Sequence, residues 1–201
     1  INRATKGVYE LGSVFKTFTI AAGLEAGLIE PETEFLNLKK KLKCGKNTIS
    51  EYDNEIPSDL TVEQILIRSS NIGSVRIGQK LEIEKLKNFL AKIGILEKID
   101  FDIGEVGEPI PFRWGKCKLA TVSFGHGITT TPLQLAAGYA IISNGGFEIK
   151  PTLIKQSSKK LPKKRIIKSG VSEKINPILR KIVTTKEGTA GFANIDGYEV
   201  G

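Results

Sequence analysis

Tyr9-Glu-Leu-Gly-Ser-Val-Phe-Lys16 is the most informative run in this chain. Ser13 and Lys16 stand three residues apart where a helical pattern begins, so hydroxyl and amine share one face about one turn apart. An amine held there can take the serine proton if burial or a second cation lowers its pKa. The Ser13 amide, at a helix N-terminus, can also point at a developing oxyanion. The spacing by itself is weak, because a chain rich in Ser and Lys contains such pairs by chance. Ser157-Ser-Lys-Lys160 is another, in a charged loop.

The helix opened by this run is predicted over Ser13 to Leu28. Val14, Phe15, Phe18, Ala21, Ala22 and Leu24 form its apolar face, and Pro31 closes the region. Gly23 and Gly27 weaken it but permit close packing. The lysine-rich stretch 37–60 reads as irregular or short-strand structure with a turn near Asn54. Thr61-Val-Glu-Gln64 has the capping-box form, and Ile65, Leu66 and Ile67 follow. Ser69-Ser-Asn71 then marks a break, since these residues leave helices easily. Helical patterns run on to about Lys80 and again from Ile83 to Ile93, with Gly94 as the stop. Residues 95–118 look loop-like. A second capping box, Thr131-Pro-Leu-Gln134, opens a helix with Pro at its first position, ending at Asn144-Gly-Gly146. Phe147 to Ile154 reads as a strand, Lys155 to Lys168 as an exposed loop or hairpin, Ser172 to about Thr185 as a helix, and Tyr198 to Gly201 as a strand beginning. Helices first and strands late imply an α+β arrangement with a largely helical lobe.

Composition excludes several classes. The 201 residues are 40% apolar and 26% charged, a globular balance with a net charge of +8. The longest apolar runs, such as Leu133 to Ile142, fall short of the ~20 residues a membrane helix needs. Cys44, Cys117 and His126 cannot furnish the roughly four ligands of a closed zinc site. The two cysteines make no disulfide framework. They read as buried thiols, with one bridge as the alternative if they lie close in an oxidising compartment. Only six of the 30 basic residues are Arg. The clusters Lys39, Lys40, Lys41, Lys43, Lys46 and Lys155 to Lys168 lack interleaved aromatics, so they read as solvated loops and not as a nucleic-acid surface. The chain opens at Ile1, contains no Met and stops at Gly201 within a strand-like run. It is therefore read as an internal piece of a longer protein, and the lack of a leader says nothing of location.

At Ser69-Ser-Asn71, a hydroxyl and an amide projecting from a helix break could relay a proton and hold a peptide carbonyl; the same residues also simply cap helix ends. The order S-x-x-K, then S-x-N, belongs to penicillin-binding proteins and serine β-lactamases, where K-[TS]-G follows. The surrounding residues resemble the transpeptidase domain of class B penicillin-binding proteins. Asn2-Arg-Ala4 and Tyr9 to Lys16 look like that family's approach to its nucleophile helix. Leu60-Thr-Val, Ile65-Leu and Ser69-Ser-Asn-Ile-Gly73 look like its second motif. Ser123-Phe-Gly-His-Gly-Ile128 with Thr131-Pro-Leu-Gln-Leu135 looks like the division-specific (FtsI-type) branch. Gly188-Thr-Ala190 and Gly197 to Gly201 resemble the run leading into the third motif. Leu11 departs from the proline common before Gly-Ser, and the K-[TS]-G strand that would follow Gly197 to Gly201 is not reached.

The resemblance implies a two-lobed β-lactamase/transpeptidase-like fold, with residues 1–201 a partial transpeptidase domain lacking its anchor and K-[TS]-G strand and, so truncated, nearly or wholly inactive by itself. It implies that Ser13 attacks the penultimate D-Ala carbonyl of a peptidoglycan stem peptide and passes the acyl group to a neighbouring stem amine. Lys16 would accept the Ser13 proton, Ser69 would relay a proton to the leaving amine, and Asn71 would orient Lys16 and the substrate. β-Lactam antibiotics would acylate Ser13 as substrate mimics, and neither metal nor organic cofactor is called for. Partners would be stem peptides and cell-division membrane proteins, with no nucleic acid, and the location the inner membrane with the catalytic domain in the periplasm. A serine β-lactamase, a β-lactam-binding sensor or scaffold, and a nucleic-acid module suggested by the +8 charge are the rivals. The β-lactamase would need a deacylating Glu that the sequence does not single out, and Ser70 replaces the Asp of its S-D-N. His126 and the pair Phe112 and Trp114 read as structural.

Overall fold

The computed structural model describes residues 2–155 and 164–201. Helix α1, Lys16–Glu25, is the centre of the molecule: every residue from Lys16 to Leu24 is buried. A helix buried on every side is a core helix, and this one carries the polar Lys16, Thr17 and Thr19 inside with it. It packs against α2 (Val62–Ile67), α3 (Asn71–Lys92) and α6 (Ser169–Thr184). Helix α4, Lys116–Val122, lies along α3, and α5, Pro132–Ser143, packs on α6. Gly78 makes the α3–α4 approach possible, since a Cβ there would stand 1.8 Å from Ser123 Oγ.

Six short strands form three antiparallel pairs among the described residues: β1 (Tyr9–Glu10) with β6 (Thr129–Thr130), β2 (Glu34–Phe35) with β5 (Leu60–Thr61), and the hairpin β3 (Lys41–Cys44) with β4 (Asn47–Ser50). The layout is helix-rich α+β, as the sequence pattern predicts. Both capping boxes form: Thr61 and Gln64, and Thr131 and Gln134, satisfy each other's backbone amides. No helix among the described residues is long and apolar enough to cross a membrane.

Several boundaries differ from expectation. Residues Gly12–Phe15 form a 3₁₀ turn ahead of α1, and the helix stops at Glu25 because Gly27, at φ +66, closes it. The two patterns flanking residue 81 join into one hydrogen-bonded run, α3, yet Glu82 at φ 63 interrupts its helical geometry where the pattern breaks. The expected loop 95–118 ends early because α4 begins at Lys116. Helix α6 starts at Ser169, three residues ahead of its predicted first residue.

Phe147 to Ile154 forms no strand. Asn144 accepts from the Phe147 amide and donates to its carbonyl, leaving a single bridge from Phe147 to Arg165. Beyond it, Asp102 takes up the Thr152 hydroxyl and the Leu153 amide, and Pro151 cannot donate to a ladder. Tyr198 to Gly201 is likewise not a strand: the Tyr198 amide turns back to Ile195, and the Val200 carbonyl accepts from Arg180. Most of the Lys155 to Lys168 loop, Ser157-Ser-Lys-Lys160 included, lies outside the described residues.

The cysteines are not free thiols. Cys44 of β3 and Cys117 of α4 form a disulfide, with Cα atoms 5.4 Å apart across 73 residues of sequence. The hairpin folds back onto α4, a long-range contact that no local pattern encodes. Closing a loop of this length restricts the unfolded chain. Replacing both cysteines by serine is expected to lower unfolding free energy by about 2–4 kcal/mol, read from urea titration of the full-length protein.

Candidate functional site

The site is assembled where three chain breaks meet at the N-terminal end of α1. Ser13 lies in the 3₁₀ turn and is exposed, whereas Lys16, one turn on, is completely buried. The backbone of this turn is fixed from two sides. Tyr139 of α5 donates its hydroxyl to the Val14 carbonyl at 2.6 Å and lies 2.9 Å from Thr17 Oγ1. The Ser123-Phe-Gly-His-Gly turn sits against Gly12: Gly125 has φ +86, and a Cβ there would meet the Gly12 carbonyl oxygen at 1.9 Å. Only glycine lets this turn approach the residue before Ser13 so closely. Thr19 completes the seam by donating to the Ser123 carbonyl at 2.9 Å.

The Lys16 ammonium donates to Ser13 Oγ at 3.0 Å, to Ser69 Oγ at 2.7 Å and to the Ser69 carbonyl at 2.6 Å. Three donors thus meet three acceptors, which is what an ammonium requires when water is excluded. Burial lowers its pKa from 10.5 to about 8, against a smaller opposing effect of the Glu51 carboxylate. Lys16 therefore gives up its proton more readily than an ordinary lysine and can serve as a base.

Ser69 reaches Lys16 through an unusual backbone. Helix α2 ends in a Schellman motif: the Ser69 amide bonds to Leu66 and the Ser70 amide to Ile65. Ser69 is the left-handed residue of that motif, at φ 54. Helices α1 and α3 end the same way, but on Gly27 and Gly94. At α2 a residue with a side chain occupies the glycine position, and its hydroxyl and carbonyl both turn to the amine. Local strain of this kind persists where the surroundings over-determine it.

The remaining member of the motif sits differently from expectation. Asn71 opens α3, and its side-chain amide donates to the Ser50 carbonyl at 3.0 Å. The bonds that hold Lys16 go to Ser13 and Ser69, so Asn71 does not orient the amine by a direct bond in this structure. Ser70, fully buried, caps α3 by accepting from the Gly73 amide at 2.9 Å. Sequence reasoning passed over Glu51, whose carboxylate accepts from Ser70 Oγ, the Asn71 amide and the Ile72 amide at 2.6, 2.7 and 3.1 Å. No motif marks it; it is simply the acid that follows β4.

His126 is engaged elsewhere. Its Nδ1 lies 3.1 Å from Glu10 Oε2, and Glu10 Oε1 accepts from the Gly127 amide, so it ties the turn to β1. Phe112 and Trp114 pack together with ring centroids 4.9 Å apart and the Lys118 ammonium over the Phe112 ring.

The description "penicillin binding protein transpeptidase domain" fits residues 1–201, the entire chain. The chain belongs to the penicillin-binding protein transpeptidase domain family. Among curated relatives, it is 31% identical over 209 residues to the probable peptidoglycan D,D-transpeptidase FtsI of Caulobacter vibrioides, covering all of this chain and 34% of that protein. It is 31% identical over 208 residues to the peptidoglycan D,D-transpeptidase FtsI of Buchnera aphidicola, covering 99% of this chain and 35% of that one. The chain thus spans about a third of the length of these relatives. Its fold matches the transpeptidase domain of Burkholderia pseudomallei penicillin-binding protein 3 with a TM-score of 0.91 at 24% identity, over 98% of this chain and 60% of that one.

The strain at Ser69 can be measured. Ser69→Gly and Ser69→Ala both remove the hydroxyl, but only alanine keeps a Cβ in the left-handed region. The glycine variant should be the more stable by about 1 kcal/mol in paired urea titrations; equal stabilities would show that the backbone is unstrained.

Proposed function

We propose that this chain carries the nucleophile and proton-transfer groups of a serine peptidoglycan D,D-transpeptidase. The observation that supports this most is the buried Lys16 ammonium bonded at once to Ser13 Oγ and Ser69 Oγ. Ser13 is exposed to a substrate, while its base is shielded from water and has a pKa near the working range.

In this reading a stem peptide places the carbonyl of its penultimate D-Ala against Ser13. The Oγ–C bond forms as the Ser13 proton passes to Lys16, and the tetrahedral oxyanion faces the Ser13 amide at the helix start. The C–N bond to the terminal D-Ala then breaks. A proton moves from Lys16 through the Ser69 hydroxyl to the leaving amine, a route that the 2.7 Å bond makes direct. The amine of a neighbouring stem takes the place of the departed D-Ala and repeats the sequence in reverse, joining two peptidoglycan strands and freeing Ser13. Asn71, at the mouth of α3, would hold the substrate backbone. A β-lactam would acylate Ser13 by the same first step, with its ring amine as the tethered leaving group.

The names of the relatives agree with this activity. The disulfide between Cys44 and Cys117 supports a domain facing an oxidising compartment, such as the periplasm, with membrane anchorage outside these residues. The Ser123-Phe-Gly-His-Gly turn favours the division branch, with cell-division membrane proteins as partners. The hydrolytic alternative finds little support. Glu51 is the carboxylate that acts on Lys16, and its oxygens are engaged by the Ser70 hydroxyl and the Asn71 and Ile72 amides in holding the start of α3.

Ser13→Ala in the full-length protein should abolish covalent labelling by a fluorescent penicillin. Labelling that persists on another serine would end the assignment. The pH dependence follows from Lys16. The neutral amine is the base, so the acylation rate constant should rise about tenfold per pH unit below about 8 and level above it. A rate flat from pH 6 to 9, measured by stopped flow, would remove Lys16 from the role. Turnover of a chromogenic cephalosporin should stay slow; rapid hydrolysis would favour a β-lactamase.

A further inference from the structure

Glu51 stands immediately after β4, 19 residues before Ser70. Its position is set by the hairpin. The Glu51 amide donates to the Lys40 carbonyl at 3.2 Å, and β3 is pinned to α4 through Cys44 and Cys117. From there the carboxylate spans the gap between α2 and α3. Oε1 accepts from the Ser70 hydroxyl and the Ile72 amide, and Oε2 from the Asn71 amide.

These bonds meet the first amides of a 22-residue helical run, which have no intrahelical partners and where the helix dipole favours a negative charge. The Asn71 side chain is bonded to Ser50, the residue next to Glu51, so this strand end grips Asn71 by both backbone and side chain. Ser70 in turn donates to Glu51 and accepts from Gly73. The residue before this grip is Ser69, whose left-handed backbone aims both its oxygens at Lys16.

We infer that Glu51 is a positioning residue for acyl transfer: its carboxylate, delivered by the β3–β4 hairpin, locks the Ser69–Asn71 break in the conformation that presents Ser69 to Lys16. The inference rests on the transpeptidase reading above. Glu51 touches neither substrate nor reacting atoms in this scheme. It acts through the geometry of Ser69 and, at longer range, through its charge. Among the described residues Glu51 is the charge that raises Lys16 against the effect of burial. Tyr52, the next residue, feels the charges of Glu51, Asp53 and Arg68; its hydroxyl donates to the Arg68 carbonyl, and the Arg68 guanidinium lies 3.9 Å from Glu187.

The test is the rate constant of acylation by benzylpenicillin in the full-length protein between pH 6 and 10, for wild type, Glu51→Gln and Glu51→Asp. Glutamine keeps the shape but loses the charge and one acceptor. Its plateau rate at high pH should fall at least tenfold, and the rising limb should move to lower pH, because Lys16 loses the charge that favours its ammonium form. Aspartate keeps the charge on a shorter arm, so its limb should stay at the wild-type position while its plateau falls less. A Glu51→Gln protein with the wild-type plateau and limb overturns the inference. So does a fallen plateau with an unmoved limb and a lowered melting temperature, the mark of a merely structural cap. If Glu51→Gln does not fold, Glu51→Asp decides by itself: a reduced plateau supports the inference and a wild-type plateau overturns it. Wild-type protein that is not acylated at all sinks the transpeptidase reading together with the inference, whereas a labelled wild type with an indifferent Glu51→Gln sinks the inference alone.

Discussion

A lysine ammonium with no exposed surface is the constraint around which this molecule is arranged. Removing such a charge from water is tolerable only if each of its protons finds an acceptor. The acceptors come from Ser13 in the turn before α1 and from Ser69 at the end of α2, the latter 53 residues from Lys16 in sequence. Packing α1 on all sides buries the amine, and placing α2 beside its first turn supplies the oxygens. What burial takes from the stability of the ammonium reappears as reactivity: the same desolvation that strains the fold brings the amine's pKa down to about 8.

The other local irregularities serve this arrangement. Ser69 occupies a position where α1 and α3 use glycine, and its side chain is the reason. Gly125 is stripped to the backbone so that the 123–127 turn can lean on Gly12. The β1–β6 pair and the Glu10 bonds to Gly127 and His126 bring that turn alongside Ser13. The hairpin with its disulfide holds Glu51 against the start of α3. Each is a place where a local rule of helix or turn is bent in favour of the site.

Much of this was legible in the sequence because it is local. Capping boxes at Thr61 and Thr131, the apolar run of α1 and the Ser13–Lys16 spacing are encoded within a few residues of where they act. The order of Ser13-x-x-Lys16 and Ser69-x-Asn71 supplied the family, and the whole chain fits it. The failures are of another kind. Phe147 to Ile154 has strand composition, but Asn144 captures both polar groups of the Phe147 backbone. Cys44 and Cys117, and Glu51 with the Ser70–Ile72 segment, are joined by the path of the β3–β4 hairpin, which no periodicity specifies. The resemblance implies that Asn71 orients Lys16 and the substrate; its side-chain bond to the Ser50 carbonyl depends on the same hairpin path and could not be read from the motif.

Burial and its three acceptors leave Lys16 an amine poised to lose its proton. Titrating the lysine side chains by NMR in the isotopically labelled full-length protein, with Lys16→Arg to assign the signal, tests it most directly. One lysine signal, lost in Lys16→Arg, should titrate with a midpoint near 8. A Lys16 midpoint at the ordinary lysine value of 10.5 would contradict this reading.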